Sequence, residues 1–235
     1  MIGLIKSKMR SVNMRINNGS WTDADRHEFR DKQRELLNRV VKVLNDMEVP
    51  YFLSAGTLLG AIRDGEFLLD DSDHDIGIEA QYWNDDVKKA LDEAIGGYTS
   101  VDTRPNPDKG LVLHQFGGEK FKRKRVYVDV EIYFPFYHAG ELCYMNPSLY
   151  LYKYPQSVIE SGYVSLDLNG DTYSILSDSA GFLDTVYNPT WRAGRDDSMK
   201  YGEYPNKIPA RESKFEYEFL GGASFSLNGD GYISG

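Results

Sequence analysis

Two acidic pairs stand out by their spacing. Asp73 and Asp75 directly precede and enter the apolar run Ile76-Gly77-Ile78, and Asp129 and Glu131 lie inside another run, 126–134. Side chains two residues apart share a face of a strand. Each pair therefore projects its carboxylates together, while His74, Ile76 and Ile78, and likewise Val128, Val130 and Ile132, point the other way. Neighbouring carboxylates repel, so a fold keeps them together where a cation or a shared proton offsets the repulsion. Upstream, the strand-like run 51–54 ends at Gly56-Thr57, where a short helix is predicted to open. First-turn amides of a helix lack partners and suit a phosphate. Acids from two strands beside such a bend predict an oxygen-lined site for Mg²⁺ or Mn²⁺. An ion of this kind neutralises charge as a phosphoryl group moves, and a spare carboxylate can take the proton of the attacking hydroxyl.

Several elements must position these groups. Leu36, Leu37, Val40, Val41, Val43, Leu44 and Met47 recur at helical spacing, which predicts a helix over 22–47 with Thr22-Asp23 at its cap. Asp23, Asp25 and Glu28 favour its amino end, and its Arg and Lys residues are expected to form a solvated face. In 57–64, Gly56, Gly60 and Arg63 share one face, and Leu58, Ala61 and Ile62 the opposite one. Gly60 costs a helix about 1 kcal/mol against Ala, so something is expected to approach that face closely.

Farther on, the patterns predict strands at 73–78, 98–103, 111–116 and 126–134, with a helix from Asn84 or Asp85 to Ile95. Short β-like pieces follow around 142–145, 156–159, 163–168 and 172–176, then a helix over 179–187 and ordered loops at 188–192 and 200–205. The basic run Lys120, Lys122, Arg123, Lys124 and Arg125 leads into 126–134, either to hold phosphates or an anionic acceptor or to stay solvated. The fold class expected is α/β, α+β in arrangement: a mixed central sheet flanked by helices, with a β-rich C-terminal half. The division expected is a lead-in over 1–20, one domain over 21–210 and a tail over 211–235.

Composition narrows the function. A net charge of −9 and a pI near 5.0 argue against broad attraction to nucleic acid or anionic lipid. One cysteine, Cys143, excludes an internal disulfide or thiolate cluster. No apolar run reaches membrane-spanning length and the start has no signal-peptide core, so a cytoplasmic chain is expected. His27, His114 and His138 have no ligand spacing, and strand parity sends His74 into the core. Trp191-Arg192 fits packing better than stacking on a base or sugar. Asp167–Asp171 and 228–233 borrow from calcium loops but lack required ligands, and are read as β-turns.

The blocks Gly56-Thr-Leu-Leu-Gly-Ala-Ile-Arg63, Gly65-Glu-Phe67 and Asp71-Ser-Asp-His-Asp-Ile76 together resemble the LicD/fukutin family, a branch of the polymerase-β-type nucleotidyltransferase fold. Lys200-Tyr-Gly-Glu-Tyr-Pro205 is similar to a weaker element late in LicD domains. The resemblance implies a metal-dependent transferase that moves phosphocholine or a phospho-polyol from a CDP-activated donor to a glycan hydroxyl, releasing CMP. It implies Asp73 and Asp75 as metal ligands, Gly56 and Thr57 as a donor-phosphate cradle, and Arg63 as a phosphate or nucleotide contact. Lys122, Arg123 and Arg125 are the basic-run candidates for substrate. Asp129 is favoured as the third carboxylate, with Glu131 as the alternative. Asp70 stands where the family has an aromatic and Ser72 where it has an acid. The rivals are a true nucleotidyltransferase acting on a small molecule or sugar, and a degenerate module binding glycan or nucleotide.

Overall fold

The first described helix, α1 (Asp23–Asp46), begins as its sequence predicts. The Thr22 hydroxyl accepts from the Asp25 amide and the Asp25 carboxylate accepts from the Thr22 amide, a reciprocal cap that satisfies two otherwise orphaned donors. Its buried stripe is Phe29, Gln33, Leu36, Leu37, Val40, Val41 and Leu44. Each fully buried leucine there stabilises the fold by roughly 2 kcal/mol, and Gln33 is the one polar member. This is a computed structural model, and it describes residues 21–96, 99–102, 113–138, 140–147, 151–193, 205–206, 216–218, 224–227 and 233–234. The predicted lead-in, the 104–110 loop, most of 200–205, and the 228–233 turn with most of the tail lie outside the described residues.

After α1 come β1 (Phe52–Leu53), α2 (Ala55–Arg63), β2 (His74–Glu79), α3 (Asp85–Ile95), β3 (Thr99–Asp102), β4 (Leu113–Phe121) and β5 (Lys124–His138). Then follow β6 (Glu141–Pro147), β7 (Leu151–Pro155), a single turn α4 (Gln156–Ile159), β8 (Tyr163–Leu168), β9 (Asp171–Leu176) and α5 (Ser179–Tyr187). Seven of the described strands form a mixed sheet in the order β1-β2-β5-β4-β3, extended by β6 on β5 and β7 on β6, and β8 and β9 pair separately. β2 and β5 run parallel; the other pairs are antiparallel. Mixed sheet, flanking helices and a strand-rich second half agree with the α+β expectation.

One sheet face is apolar and meets α1, whose Leu36 packs against Gly118 of β4. Ile76, Ile78, Val128, Val130 and Ile132 line that face, all at most 1% exposed. The opposite face carries Asp75 and Gly77 of β2 and Asp129, Glu131 and Tyr133 of β5. Its lower part is closed by rings: Phe52 lies over Gly77 and packs on Tyr133 and Phe182, and Tyr154 stacks on Phe182. That lid confines the acids to the upper end.

Four expectations change. Residues 156–159 form a helical turn rather than a strand, because Pro155 starts it and Glu160 closes a bond back to Gln156. β4 runs through Gly117-Gly118, and the basic run becomes the tip of the β4–β5 hairpin instead of a loop. Residues 151–155 add a strand with no clear apolar alternation in sequence. The charged face of α1 is not merely solvated: Arg30 pairs with Glu66, Lys32 with Glu119 and Arg34 with Asp171. Periodicity reports which face is polar and not what meets it. The Asn169-Gly170 turn joins β8 to β9 with both residues at positive φ, which supports the β-turn reading over a calcium loop.

Gly60 has the close neighbour its position in a helix foretold. A Cβ there would stand 2.7 Å from the Glu66 carbonyl oxygen and 2.9 Å from the Leu68 nitrogen, so the returning loop crosses directly over α2. Helix propensity alone predicts that Gly60→Ala gains about 1 kcal/mol. The backbone contact reverses the sign, and a loss of about 1–3 kcal/mol is expected from overpacking. Urea midpoints of the two proteins decide between these outcomes.

Candidate active site

The two acidic strands meet. Asp75 stands opposite Asp129 and Gly77 opposite Glu131 in the parallel β2–β5 register. The chain entering α2 grips the Asp75 peptide on both sides. The Ser54 amide donates to the Asp75 carbonyl at 3.1 Å, and the Asp75 amide donates to the Thr57 hydroxyl at 2.8 Å. Thr57 also lies 3.3 Å from His74 Nδ1. His74 is buried in the core, as parity predicts, against the Phe67 ring. Burial, and then the Arg30 guanidinium, push its pKa down to about 3. The ring is therefore neutral, and its Nδ1 shares a hydrogen bond with the Thr57 hydroxyl, whose oxygen also accepts from the Asp75 amide.

Each carboxylate has its own support. Asp129 is 4% exposed and accepts from the Gln115 amide at 2.8 Å. One oxygen of Glu131 accepts both the Ser54 hydroxyl (2.8 Å) and the Tyr133 hydroxyl (3.0 Å). Ser54 is the N-cap residue of α2, yet its hydroxyl goes to Glu131 and makes no cap bond. Burial, followed by the Glu131 charge, keeps Tyr133 protonated and so able to donate. Asp73 accepts from the Ser72 hydroxyl at 3.2 Å.

Asp75 bears the cost of this crowding. Some of its surface still touches solvent, but protein surrounds it so densely that desolvation is the leading cause of a pKa well above the carboxylate range. Asp73, Glu131, Asp71 and Asp129, in that order, raise it further. Asp71 is the neighbour that the spacing argument overlooked, because it precedes the strand and parity says nothing of it. All donors are hard oxygens, which fits a divalent cation such as Mg²⁺ or Mn²⁺. Among the described residues, no three His, Cys, Asp or Glu side chains are already gathered as a metal cage.

The residues expected to hold substrate are placed less uniformly. The Asp71 carboxylate packs over Gly56, where any Cβ would collide with it. The glycine face thus admits the chain's own 66–71 loop, and Thr57 turns its hydroxyl inward to Asp75 rather than towards a cleft. Arg63 forks onto the adjacent Asp64, at 2.7 and 2.6 Å. Lys122 pairs with Asp25 at the start of α1, and Arg123 is exposed in the hairpin tip. Lys122 is roughly 20 Å along the strand from Asp129, so the tip is not gathered at the acids. Arg125 shares the acidic face by parity and donates to the Gly118 carbonyl at 2.7 Å. His114 packs against Trp83, with burial pushing its pKa down to about 4. Trp191 is buried and bonded to Asp184, with Arg192 over its ring, which agrees with packing.

The family model described as LicD/FKTN/FKRP, nucleotidyltransferase domain, matches residues 48–164, and the chain belongs to that family. The protein named ribitol-5-phosphate transferase FKTN is 39% identical over 66 residues in Mus musculus and 38% identical over 66 in Homo sapiens. Each alignment takes in 28% of this chain, and it spans only 14% of the relative's length. A crystal structure of ANT(2")-Ia in complex with adenylyl-2"-tobramycin overlaps 62% of this chain and 70% of its own, at 10% identity and a TM-score of 0.35. At that score the overlap does not define the fold. No described helix is long and apolar enough to cross a membrane.

The raised pKa of Asp75 has a definite sign. The folded protein binds that proton more tightly than the unfolded chain, so the contribution is present below the ordinary carboxylate pKa and is lost as pH rises through the raised one. In cation-free protein, Asp75→Asn is expected to gain stability over the parent as pH rises from about 4 to about 8. Thermal melts across that range check it; a difference that stays flat would mean the carboxylates do not crowd Asp75.

Proposed function

We propose that this chain is a metal-dependent transferase that moves a phosphate-linked polyol or choline group from a CDP-activated donor to a glycan hydroxyl and releases CMP. The observation that carries the reading is the register of β2 on β5, which brings Asp75 and Asp129 side by side near the start of α2. Family membership and the ribitol-5-phosphate transferases among the relatives support a phospho-polyol as cargo. A polymerase-β-type nucleotidyltransferase arrangement is part of the same proposal.

In this reading Asp73, Asp75 and Asp129 hold the cation, with Asp71 close by. Bound there, Mg²⁺ or Mn²⁺ would neutralise phosphate charge in the donor. Asp129 suits the third ligand position because it stands directly across from Asp75 in the register and the Gln115 side-chain amide steadies its carboxylate. Glu131, oriented by the Ser54 and Tyr133 hydroxyls, is the carboxylate left to receive the proton of the attacking hydroxyl. Arg125, on the same face some four residues from Asp129, is the basic-run residue best placed to meet the donor.

Asp73→Ala removes one ligand and one repulsive charge without opening a core cavity. CMP release from CDP-ribitol, CDP-glycerol or CDP-choline in the presence of Mg²⁺ is expected to fall by more than about 100-fold, with the melting temperature at or above that of the parent. Full turnover in the variant would refute the assignment. Pyrophosphate released from a nucleoside triphosphate instead of CMP would point to the nucleotidyltransferase alternative.

A further inference from the structure

We propose that Gln33 of α1 is a positioning residue for this site: its buried amide fixes the backbone of Asp71, and with it the carboxylate that Asp71 brings beside Asp75. The inference rests on the acid cluster being the working site. Gln33 is 0% exposed, the one polar side chain in a stripe of seven buried residues. Its Nε2 donates to the Asp71 carbonyl at 3.3 Å, across 38 residues of sequence. Its Oε1 is buried without a hydrogen-bond partner. An unbranched apolar side chain would fill the same space and bury no orphaned acceptor. The orphaned acceptor offsets what the Asp71 bond contributes to stability, so what the amide adds over an apolar side chain is its hold on Asp71.

The rest of the loop is pinned in the same way. Arg30, three residues before Gln33 and on the same face of α1, donates to the Glu66 carboxylate at 2.7 Å and to the Phe67 carbonyl at 3.3 Å. Gly60 takes the weight of Glu66–Leu68 and Gly56 that of Asp71. The Ser72 amide donates to the Asp71 carboxylate at 3.1 Å. The loop is thus clasped between α1 above and α2 below, and Gln33 holds the end that carries the acid. α1 lies upstream of residues 48–164, so the site depends on an element outside the family match. Partners that only orient ligands commonly change metal affinity by about 10- to 100-fold when removed.

Gln33→Met tests this in the full chain. The readouts are hydrogen exchange of peptides covering 66–75, the Mn²⁺ dissociation constant by isothermal titration, and the melting temperature. A positioning role predicts faster exchange in 66–75 and Mn²⁺ binding weaker by about tenfold or more, at an unchanged or higher melting temperature. Parent-like exchange and affinity overturn it, as does a loss of affinity that only follows a loss of stability. If Gln33→Met does not fold, Arg30→Met at the partly exposed neighbour loosens the same loop, and silence there overturns the proposal equally. If the parent chain binds no Mn²⁺, the transferase reading falls, and the exchange of 66–75 alone decides whether Gln33 positions the loop.

Discussion

Like charges on neighbouring parallel strands set the terms for everything around them. Strands in a sheet stand about 4.8 Å apart, and two carboxylates at that spacing repel by roughly 3 kcal/mol at an effective dielectric of about 20. The β2–β5 register places Asp75 and Asp129 in this relation, and Asp73, Asp71 and Glu131 add to it. The fold meets the repulsion with donors: Gln115 to Asp129, Ser54 and Tyr133 to Glu131, Ser72 to Asp73. None of these donors carries a full positive charge. The crowding is softened and not cancelled, and Asp75 registers what remains in its raised proton affinity.

Rigidity at this site comes from short elements. β1 has two residues and α2 nine, yet between them they supply Ser54 and Thr57, which fasten the Asp75 peptide at both its amide and its carbonyl. The Ser54 hydroxyl, a standard helix cap by residue type, is diverted to Glu131. Thr57 relies on a neutral His74 beneath it, and His74 on the Phe67 ring. The polar groups at the site thus run in depth from the partly exposed carboxylates of Asp73 and Glu131 to a histidine 1% exposed.

Charge elsewhere does structural work that composition conceals. The chain is acidic overall, and its one dense basic run sits on a hairpin tip, where Lys122 joins Asp25 and Lys122 and Lys124 lie over the Trp21 ring. Trp21 in turn packs edge-on to Phe29 and Phe121, tying the tip to the first turn of α1. Half-exposed ion pairs of this sort are individually worth little; here they fix the direction of a long hairpin. The same holds for the α1 cations that reach Glu66, Glu119 and Asp171.

The sequence by itself determined the elements and the acids. Period-2 and period-3.6 patterns located α1, α3, α5 and most strands, the Thr22 and Asn84 caps were readable, and parity within each strand set Asp75 opposite to His74 and put Asp129 and Glu131 on one face. These features are local, decided by neighbours within a turn or a pleat. Only the tertiary structure decided that Asp129 faces Asp75 while Glu131 faces Gly77, since register between strands more than fifty residues apart leaves no trace in either strand. It also decided what the glycines were for: Gly56 and Gly60 read as a place for something to come close, and the visitor is the chain's own 66–71 loop. Gln33 shows the limit most plainly. In the helical pattern it is one polar residue among apolar ones, and its meaning depends on a carbonyl 38 residues away that no periodicity can see.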